Sequence, residues 1–170
     1  MRLIVITGGG ESLIERVQLA LDAGAEVLIR EPAIPEGLPL DRLILHARMP
    51  GASQVAYALH LSADMDVAAC RKRFAGPLSA SAHSPEAAAQ KRDLGADAVF
   101  LSPIFAARHG RPARGLVGIE GCIALGGVLP EHVATCAQAG AVGVAVLGGI
   151  WSLPLGQMAS RLYRYQVATK

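Results

Sequence analysis

The chain has 170 residues, which is enough for one domain with a sizeable core, and we expect a single domain spanning residues 1–170. Its net charge of only +2, with arginine and lysine scattered along the chain, argues against a nucleic-acid partner. No apolar run approaches the ~18 residues of a membrane span, and the three cysteines lack the CxxC spacing of metal and redox sites. These features predict a cytoplasmic protein with reduced thiols and no membrane partner.

The predicted elements start with an apolar strand at residues 3–6, after which one pattern repeats along the chain. A helical stretch leads into a Gly-Ala pair at residues 24–25, 95–96 and 140–141, and a short apolar run follows each pair. Glycine just beyond a helix suits the left-handed position that ends many helices, and the short apolar run suits a buried parallel strand. The repeat is therefore the αβ half of a βαβ unit.

Further short apolar runs lie between the repeats, at residues 43–45, 57–59, 78–80 and 122–125. Together with the first strand and the three repeats they give eight βα units, which predicts an α/β fold, a compact (β/α)8 TIM barrel. An open, doubly wound sheet with the same strand order is the alternative. After the second and sixth strands, glycine, proline and basic residues interrupt the helical period, so we expect shortened helices at those two places.

Two pairs of glycines follow the last two predicted strands, Gly126-Gly127 after the seventh and Gly148-Gly149 after the eighth. In TIM barrels the loops after these strands commonly form a phosphate site at the C-terminal face. Glycine lets the backbone approach an anion closely, and the amides that follow donate hydrogen bonds to it. Ordinary turn chemistry is the alternative. We predict that the chain holds a small phosphorylated molecule here.

Arg30 and Glu31 end the second predicted strand, on the face where barrel enzymes carry their polar chemistry. The arginine suits a carboxylate or phosphate group of a ligand, and the glutamate suits the role of a base or of a group that orients the arginine. A structural ion pair between the two residues is the alternative interpretation.

Four histidines lie near the ends of predicted strands: His46, His60, His83 and His109. Imidazole titrates near neutral pH, so each is a candidate for moving a proton. His109 lies in a loop between Arg108 and Arg111, whose charges would lower its pKa and keep it neutral, as a base requires. The alternative for His109 is a solvent-exposed loop residue, and for His83 it is a group that satisfies the backbone before a helix.

Asp64 and Asp66 form an Asp-x-Asp pair, which admits a metal site as one interpretation. Ser62, beside the helical run that follows, instead favours a helix start with acidic residues in the first turn. We therefore expect no bound metal, and no cofactor.

Segments spread over most of the chain resemble, in the same order, those of the thiamine phosphate synthase/TenI family. Residues 28–31 resemble the family's Gln-Leu-Arg-Glu-Lys strand, residues 59–61 its Val-His-Leu strand and residues 81–87 its Ser-Val-His segment. Residues 94–105 resemble its Leu-Gly-Ala-Asp and Gly-Pro-Ile-Phe segments, and residues 124–128 its Ala-Ile-Gly-Gly-Ile segment.

The resemblance implies a TIM barrel of thiamine biosynthesis that binds a small phosphorylated thiazole, with the phosphate near Gly127, Leu147 and Gly148. Family members often associate, which leaves a homo-oligomer open. The residues that we predict to bind the substrate and its phosphate are Arg30, Glu31, Ser81, Gly126, Gly127, Leu147, Gly148 and Gly149.

The chain departs from the synthase pattern where the resemblance places the family's diphosphate and Mg²⁺. The family's strand-two lysine is Pro32 here, its Asn-Asp pair after strand three is His46-Ala47, and its Gln-Glu-Asp after strand four spans residues 63–65, which read Ala-Asp-Met. These changes favour a TenI-like member, some of which are tautomerases that aromatise a thiazole carboxylate phosphate. The family's catalytic histidine corresponds to Pro103, so our catalytic candidates are His109 first and His83 second.

Three functions follow from these predictions. The first is a thiazole tautomerase, an isomerase that moves a proton on the phosphorylated thiazole. The second is a non-catalytic protein of the same fold that binds the phosphorylated ligand and acts as a regulator. The third is a thiamine phosphate synthase, which couples thiazole phosphate with a pyrimidine diphosphate.

Overall fold

Eight parallel strands form the centre of the computed structural model, which describes residues 1–108 and 110–170. Their bounds are β1 (Arg2–Ile6), β2 (Glu26–Ile29), β3 (Leu43–His46), β4 (Ala58–Leu61), β5 (Leu78–Ala82), β6 (Ala98–Leu101), β7 (Ile123–Leu125) and β8 (Gly143–Val146). The strands follow one another in chain order, and β8 pairs with β1, which closes the barrel. The predicted TIM barrel is confirmed, and the alternative of an open sheet is wrong.

Helices cover the outside of the barrel, with bounds α1 (Leu13–Asp22), α2 (Ala52–Val55), α3 (Val67–Arg71), α4 (Pro85–Asp93), α5 (Val133–Gln138), α6 (Gly148–Trp151) and α7 (Leu155–Thr169). Between β2 and β3 the described helical structure is a 3-10 turn at Leu40–Arg42, and the described residues between β6 and β7 form no helix. The expected shortening is therefore confirmed. It extends to α2 and α3, which have four and five residues.

The Gly-Ala repeats end helices as predicted. Gly24, Gly95 and Gly140 follow α1, α4 and α5 with φ angles of 77°, 102° and 85°. Each glycine amide donates to the carbonyl three residues earlier, so that it closes the last turn before the chain enters the next strand.

Two helix starts differ in how they match the sequence. Ser84 caps α4, since its hydroxyl accepts a hydrogen bond from the Ala87 amide at 3.1 Å. The expected helix start at Ser62 is wrong, because α3 begins later and Asp66 is its cap, accepting from the Ala69 amide at 3.0 Å. The Ser62 hydroxyl, just after β4, is therefore not used as a helix cap.

Alternate residues of each strand face the barrel interior, and the character of this interior changes along the barrel axis. Its middle holds a cluster of buried apolar residues: Ile4, Ile6, Leu28, Ile44, Ala58, Ala98, Phe100, Ile123 and Ala145. Two residues beyond Ile44 and Ala58, the same strands present His46 and His60. The apolar middle contributes to stability, since burying one large aliphatic side chain is worth about 1.5–3 kcal/mol.

The last helix is tied to the turn that follows β7. Tyr165 of α7 is fully buried, and its hydroxyl donates to the Val128 carbonyl at 2.7 Å. Burial raises the pKa of this phenol to about 12. The C-terminal helix therefore holds the backbone beside Gly126 and Gly127 in place.

The three cysteines, Cys70, Cys122 and Cys136, are free thiols. None of the helices in the described part of the chain has the length and the apolar character needed to cross a membrane.

Candidate active site

A cavity of about 220 Å³ opens at the C-terminal ends of the strands, and we call it the mouth. It is lined by Ile6, Leu28, Arg30, His46, His60, Ser62, Ala63, Ser81, His83, Phe100, Ser102, Arg108, Leu125, Gly126 and Leu147. Polar side chains from β2 to β6 and from the β6–β7 loop thus surround one space, as is usual at this face of a TIM barrel.

Two further hollows adjoin the mouth. One, of about 70 Å³, is bounded by the turns after β7 and β8, and we call it the glycine hollow. It shares Arg108, Leu125, Gly126 and Leu147 with the mouth. The other, of about 300 Å³, lies beside β2 and β3 and is lined by Arg30, Glu31, Pro32, His46, Arg48 and Met49. A ligand in the mouth can therefore reach both hollows.

The glycine hollow is lined by backbone amides whose N–H groups have no hydrogen-bond acceptor among the described residues. The amides of Gly127 and Val128 on one side, and of Gly148 and Gly149 on the other, donate to no described residue. A Cβ atom added at Gly148 or Gly149 would meet no atom within 4 Å, so this corner is open. These amides suit an anion such as phosphate.

Gly126 and Gly127 are glycines for a second reason, which is packing. Their φ angles are 101° and 72°, a region that favours glycine. A Cβ on Gly127 would lie 2.6 Å from that of Ala106, and one on Gly126 would lie 3.0 Å from the Cα of Pro103. The turn after β7 therefore needs both glycines to fit against the β6–β7 loop.

His60 is a buried imidazole whose protonation is fixed by its partners. The Ser79 hydroxyl donates to the Leu59 carbonyl at 3.2 Å, so it accepts from Nδ1–H of His60 at 2.9 Å. Nε2 then accepts from the Ser81 hydroxyl at 2.9 Å. Burial, with a smaller contribution from the charge of Arg30, lowers the pKa of His60 to about 3. This ring stays neutral and directs the lone pairs of Ser81 toward the mouth.

His46 is the second imidazole of the mouth, and its two ring nitrogens are also engaged. Nδ1 accepts from the Arg48 amide at 3.3 Å, which leaves the proton on Nε2 to be donated to Ser62 at 3.1 Å. Desolvation lowers the pKa of His46, and the charges of Arg30 and Arg48 lower it further. His46 is therefore held neutral and in one orientation.

His83 differs from the other two because one of its nitrogens is open. Its Nδ1 lies 3.1 Å from the Ser102 carbonyl, which only accepts, so Nδ1 carries the proton. Nε2 then bears a lone pair, and no described residue hydrogen-bonds to it, although the ring lines the mouth. Arg114 donates to the His83 carbonyl and holds this residue from the loop side. Among the three described mouth imidazoles, His83 is the one equipped to accept a proton from a ligand.

Arg30 and Glu31, at the end of β2, do not form the ion pair that was the alternative interpretation. Glu31 accepts a hydrogen bond from the Gly9 amide at 3.2 Å and does not pair with Arg30. Arg30 is exposed and lines both the mouth and the hollow beside β3, without an ion pair to any described residue. The structural ion pair is not present, which leaves the guanidinium of Arg30 for an anionic ligand group.

All the predicted substrate-binding residues lie at the C-terminal face of the barrel. Arg30, Ser81, Gly126 and Leu147 line the mouth, with His83 beside them. The remaining predicted residues line the adjoining hollows: Glu31, Gly127, Gly148 and Gly149. His109, the first catalytic candidate, lies outside the described residues.

Two residues of the mouth were not among the predicted site residues. Ser102 fixes the tautomer of His83 through its carbonyl, and Arg108 lines both the mouth and the glycine hollow. Arg108 carried a signal, since it lies in a basic loop beside His109. Ser102 carried none, because its role depends on the pairing of β5 with β6.

The Mg²⁺ that the family resemblance implies does not fit the residues described here. Mg²⁺ prefers oxygen ligands, most often carboxylates. Glu31 is the one carboxylate among the described lining residues of the mouth and its two hollows, and it is engaged with Gly9. No group of three metal-ligating side chains occurs in residues 1–108 and 110–170.

Comparisons with known proteins agree with this fold. The chain is 29% identical over an alignment of 180 positions to the thiamine-phosphate synthase of Moorella thermoacetica, covering 86% of each protein. It is 27% identical over 182 positions to the thiamine-phosphate synthase of Thermus thermophilus, covering 91% of this chain and 88% of that one.

A solved structure has the same fold. The thiamine phosphate pyrophosphorylase of Pyrococcus furiosus superposes with a TM-score of 0.80 at 19% identity, covering 99% of this chain and 95% of that chain. The family model described as thiamine monophosphate synthase, TMP-TENI, matches residues 41–150. The chain therefore belongs to the thiamine monophosphate synthase (TMP-TENI) family.

Proposed function

We propose that the mouth binds the phosphorylated thiazole of thiamine biosynthesis and that His83 transfers a proton on it, which makes the chain a thiazole tautomerase. The observation that carries this proposal is the open Nε2 of His83, which borders the cavity that leads into the glycine hollow. A ligand in the mouth can therefore contact a proton acceptor, Nε2 of His83, and the anion-binding amides of the glycine hollow at the same time.

The two ends of the ligand have matching groups in the protein. The phosphate would accept hydrogen bonds from the free amides of Gly127, Val128, Gly148 and Gly149, and the nearby Arg108 supplies positive charge. At the end of β2, Arg30 would pair with the carboxylate of a thiazole carboxylate phosphate. The ring would then lie between these ends, close to His83.

The proton transfer leaves the composition of the ligand unchanged. Nε2 of His83 takes a proton from one carbon of the thiazole tautomer and becomes charged, and the imidazolium then delivers a proton to another carbon of the same molecule. The Ser102 carbonyl accepts from Nδ1–H throughout and stabilises the charged ring. The proposed proton transfer uses no metal.

Thiamine phosphate synthesis is the second candidate, and the named relatives support it more directly than they support proton transfer. Both curated relatives above are thiamine-phosphate synthases. Against this stands the shortage of carboxylates around the mouth, because carboxylates would be needed to hold a Mg²⁺ ion that neutralises the diphosphate released on coupling. The cationic side chains among the described lining residues are Arg30, Arg48 and Arg108, and Arg48 is already paired with Asp64.

One set of assays separates the candidates. The purified protein is given the thiazole carboxylate phosphate tautomer in one reaction, and thiazole phosphate with pyrimidine diphosphate in another, each with and without Mg²⁺. We expect accelerated aromatisation, independent of Mg²⁺, that is lost in His83→Gln and kept in His109→Gln. Formation of thiamine phosphate would support the synthase instead. Calorimetric binding without turnover in either reaction would leave a non-catalytic binder.

A further inference from the structure

A second cavity lies at the opposite end of the barrel, where the strands begin, and we call it the basal cavity. Its volume is about 440 Å³, compared with about 220 Å³ for the mouth, and the two share no lining residue. Residues at the starts of strands border it, including Arg2, Glu26, Arg42, Tyr57 and Asp97. It is therefore a separate space from the proposed active site.

The cavity exists because small side chains occupy interior positions at this end. Ala58 and Ala98 face the interior in β4 and β6, where TIM barrels usually carry bulky branched residues. Both retain measurable exposure, 6% and 7%, although they belong to the apolar interior cluster. The space that larger side chains would fill is open from below.

The inner wall of the basal cavity offers only apolar contacts. Ile44, Ala58 and Ala98 form part of it. The Ser79 hydroxyl, which also lines it, is already engaged, since it donates to the Leu59 carbonyl and accepts from His60. An apolar ligand could therefore fill the inner part of the cavity, and every polar group there would keep its hydrogen-bond partner.

The rim of the cavity carries one cation that is not neutralised. Arg2 pairs with both carboxylate oxygens of Glu26, at 2.7 Å each. Asp97 accepts from Arg71 at 2.6 Å and from the Leu78 amide at 2.7 Å. Arg42 also borders the cavity and forms no ion pair with any described residue.

We propose that the basal cavity is a second ligand site, which binds a small amphipathic anion with its apolar body inside and its acidic group at Arg42. Its volume and its mostly apolar wall with a few polar groups at the edge are those of small-molecule sites. Tyr57, which is 59% exposed at the same rim, supplies a phenol that can donate to the acidic group. This proposal is independent of the reaction at the mouth.

The test uses a matched pair of probes, 2-naphthoate and its neutral amide 2-naphthamide, titrated into the full chain labelled with ¹⁵N. We expect saturable shifts at the amides of Ala58, Ser79 and Ala98, and naphthoate should bind about three- to fivefold more tightly than the amide, as an exposed ion pair allows. Arg42→Gln should abolish the difference between the two probes, whereas Arg111→Gln, an exposed arginine at the other end, should keep it.

Filling the cavity gives the second arm of the test. Ala98→Leu should abolish binding of both probes, and a dispersed ¹⁵N spectrum shows whether the variant is folded. Equal affinities for the two probes in the parent protein would refute the anion preference. Shifts confined to the mouth, or unchanged binding in folded Ala98→Leu, would refute the site itself.

Discussion

The two ends of the barrel interior are built on the same strands and differ in chemistry. Along β4 the interior residue changes from Ala58 to His60, and along β6 a mouth group, Ser102, follows Phe100. A step of two residues keeps a side chain on the interior face and moves it by about 6.6 Å along the strand. A closed barrel can therefore hold a polar, hydrogen-bonded end and an apolar, hollow end within one short sheet.

The largest effect is expected where the two ends meet. Phe100 is fully buried, and its ring lies edge-on to that of His60, with centroids 4.6 Å apart. Phe100→Ala would open a void between the mouth and the lower interior, which typically costs about 3–5 kcal/mol of unfolding free energy. Urea denaturation measures this loss.

Phe105→Ala is the matched control for that variant. Phe105 is only partly buried and stacks on His132 at the barrel's edge, with a centroid distance of 4.1 Å. It should cost clearly less than Phe100→Ala. Equal losses would mean that Phe100 does not separate two distinct environments.

The second prediction concerns the pH dependence of the polar end. Because burial lowers the pKa of His60 to about 3, the folded state stays neutral there while the unfolded chain, with a histidine pKa of ~6.5, takes up a proton. Stability should therefore fall as the pH is lowered from about 6.5 toward 3, by up to ~1.4 kcal/mol per pH unit from this one residue.

The measurement is urea unfolding at a series of pH values in the parent chain and in His60→Gln. The variant should lose stability at pH 7, because Ser79 and Ser81 lose their imidazole partner, yet its stability should fall less steeply toward acid. Parallel curves for the two proteins would show that His60 is not held neutral.

The barrel was predictable from the sequence because its signals are local. Gly24, Gly95 and Gly140 end helices by their own backbone preference, and the apolar runs that follow are short and continuous. Even so, the local pattern at Ser62 predicts a helix start that the structure does not have. The Ser62 hydroxyl instead accepts from His46, a contact across β3 and β4 that no local pattern encodes.

The site was predictable in its residue types but not in their roles. Histidines near strand ends indicated proton chemistry, yet the protonated nitrogen of each ring depends on partners such as Ser79 and Ser102, which strand register brings close. The sequence therefore ranked His109 above His83. The open nitrogen of His83 becomes evident only once β5 and β6 are paired.

The third prediction concerns the anion-binding side of the polar end. Gly148→Ala puts a methyl group where no atom lies within 4 Å, at a position without a positive φ angle, so the fold should be unaffected. If phosphate occupies the glycine hollow, the methyl group should weaken binding of thiazole phosphate about tenfold, equivalent to ~1.4 kcal/mol. Isothermal calorimetry measures the affinity.

Gly156→Ala is the matched control, since Gly156 has equal room and lies in α7, away from the mouth. It should leave the affinity unchanged and stabilise the helix slightly, because alanine favours helix more than glycine does. The same affinity in both variants would argue that the glycine hollow does not hold the phosphate.

The smallest effect is expected at the contact between α7 and the turn after β7, which holds the glycine hollow from outside. Tyr165→Phe removes the hydroxyl that donates to the Val128 carbonyl and leaves that buried acceptor without a partner. We expect a loss of about 1 kcal/mol in unfolding free energy, together with weaker thiazole phosphate binding, because Val128 follows the two glycines of the hollow. Tyr163→Phe, at a tyrosine that is 65% exposed on the same helix, should change neither quantity. If Tyr165→Phe lost stability and kept its full affinity, the geometry of the hollow would depend on the packing of its glycines against Pro103 and Ala106 alone, and not on α7.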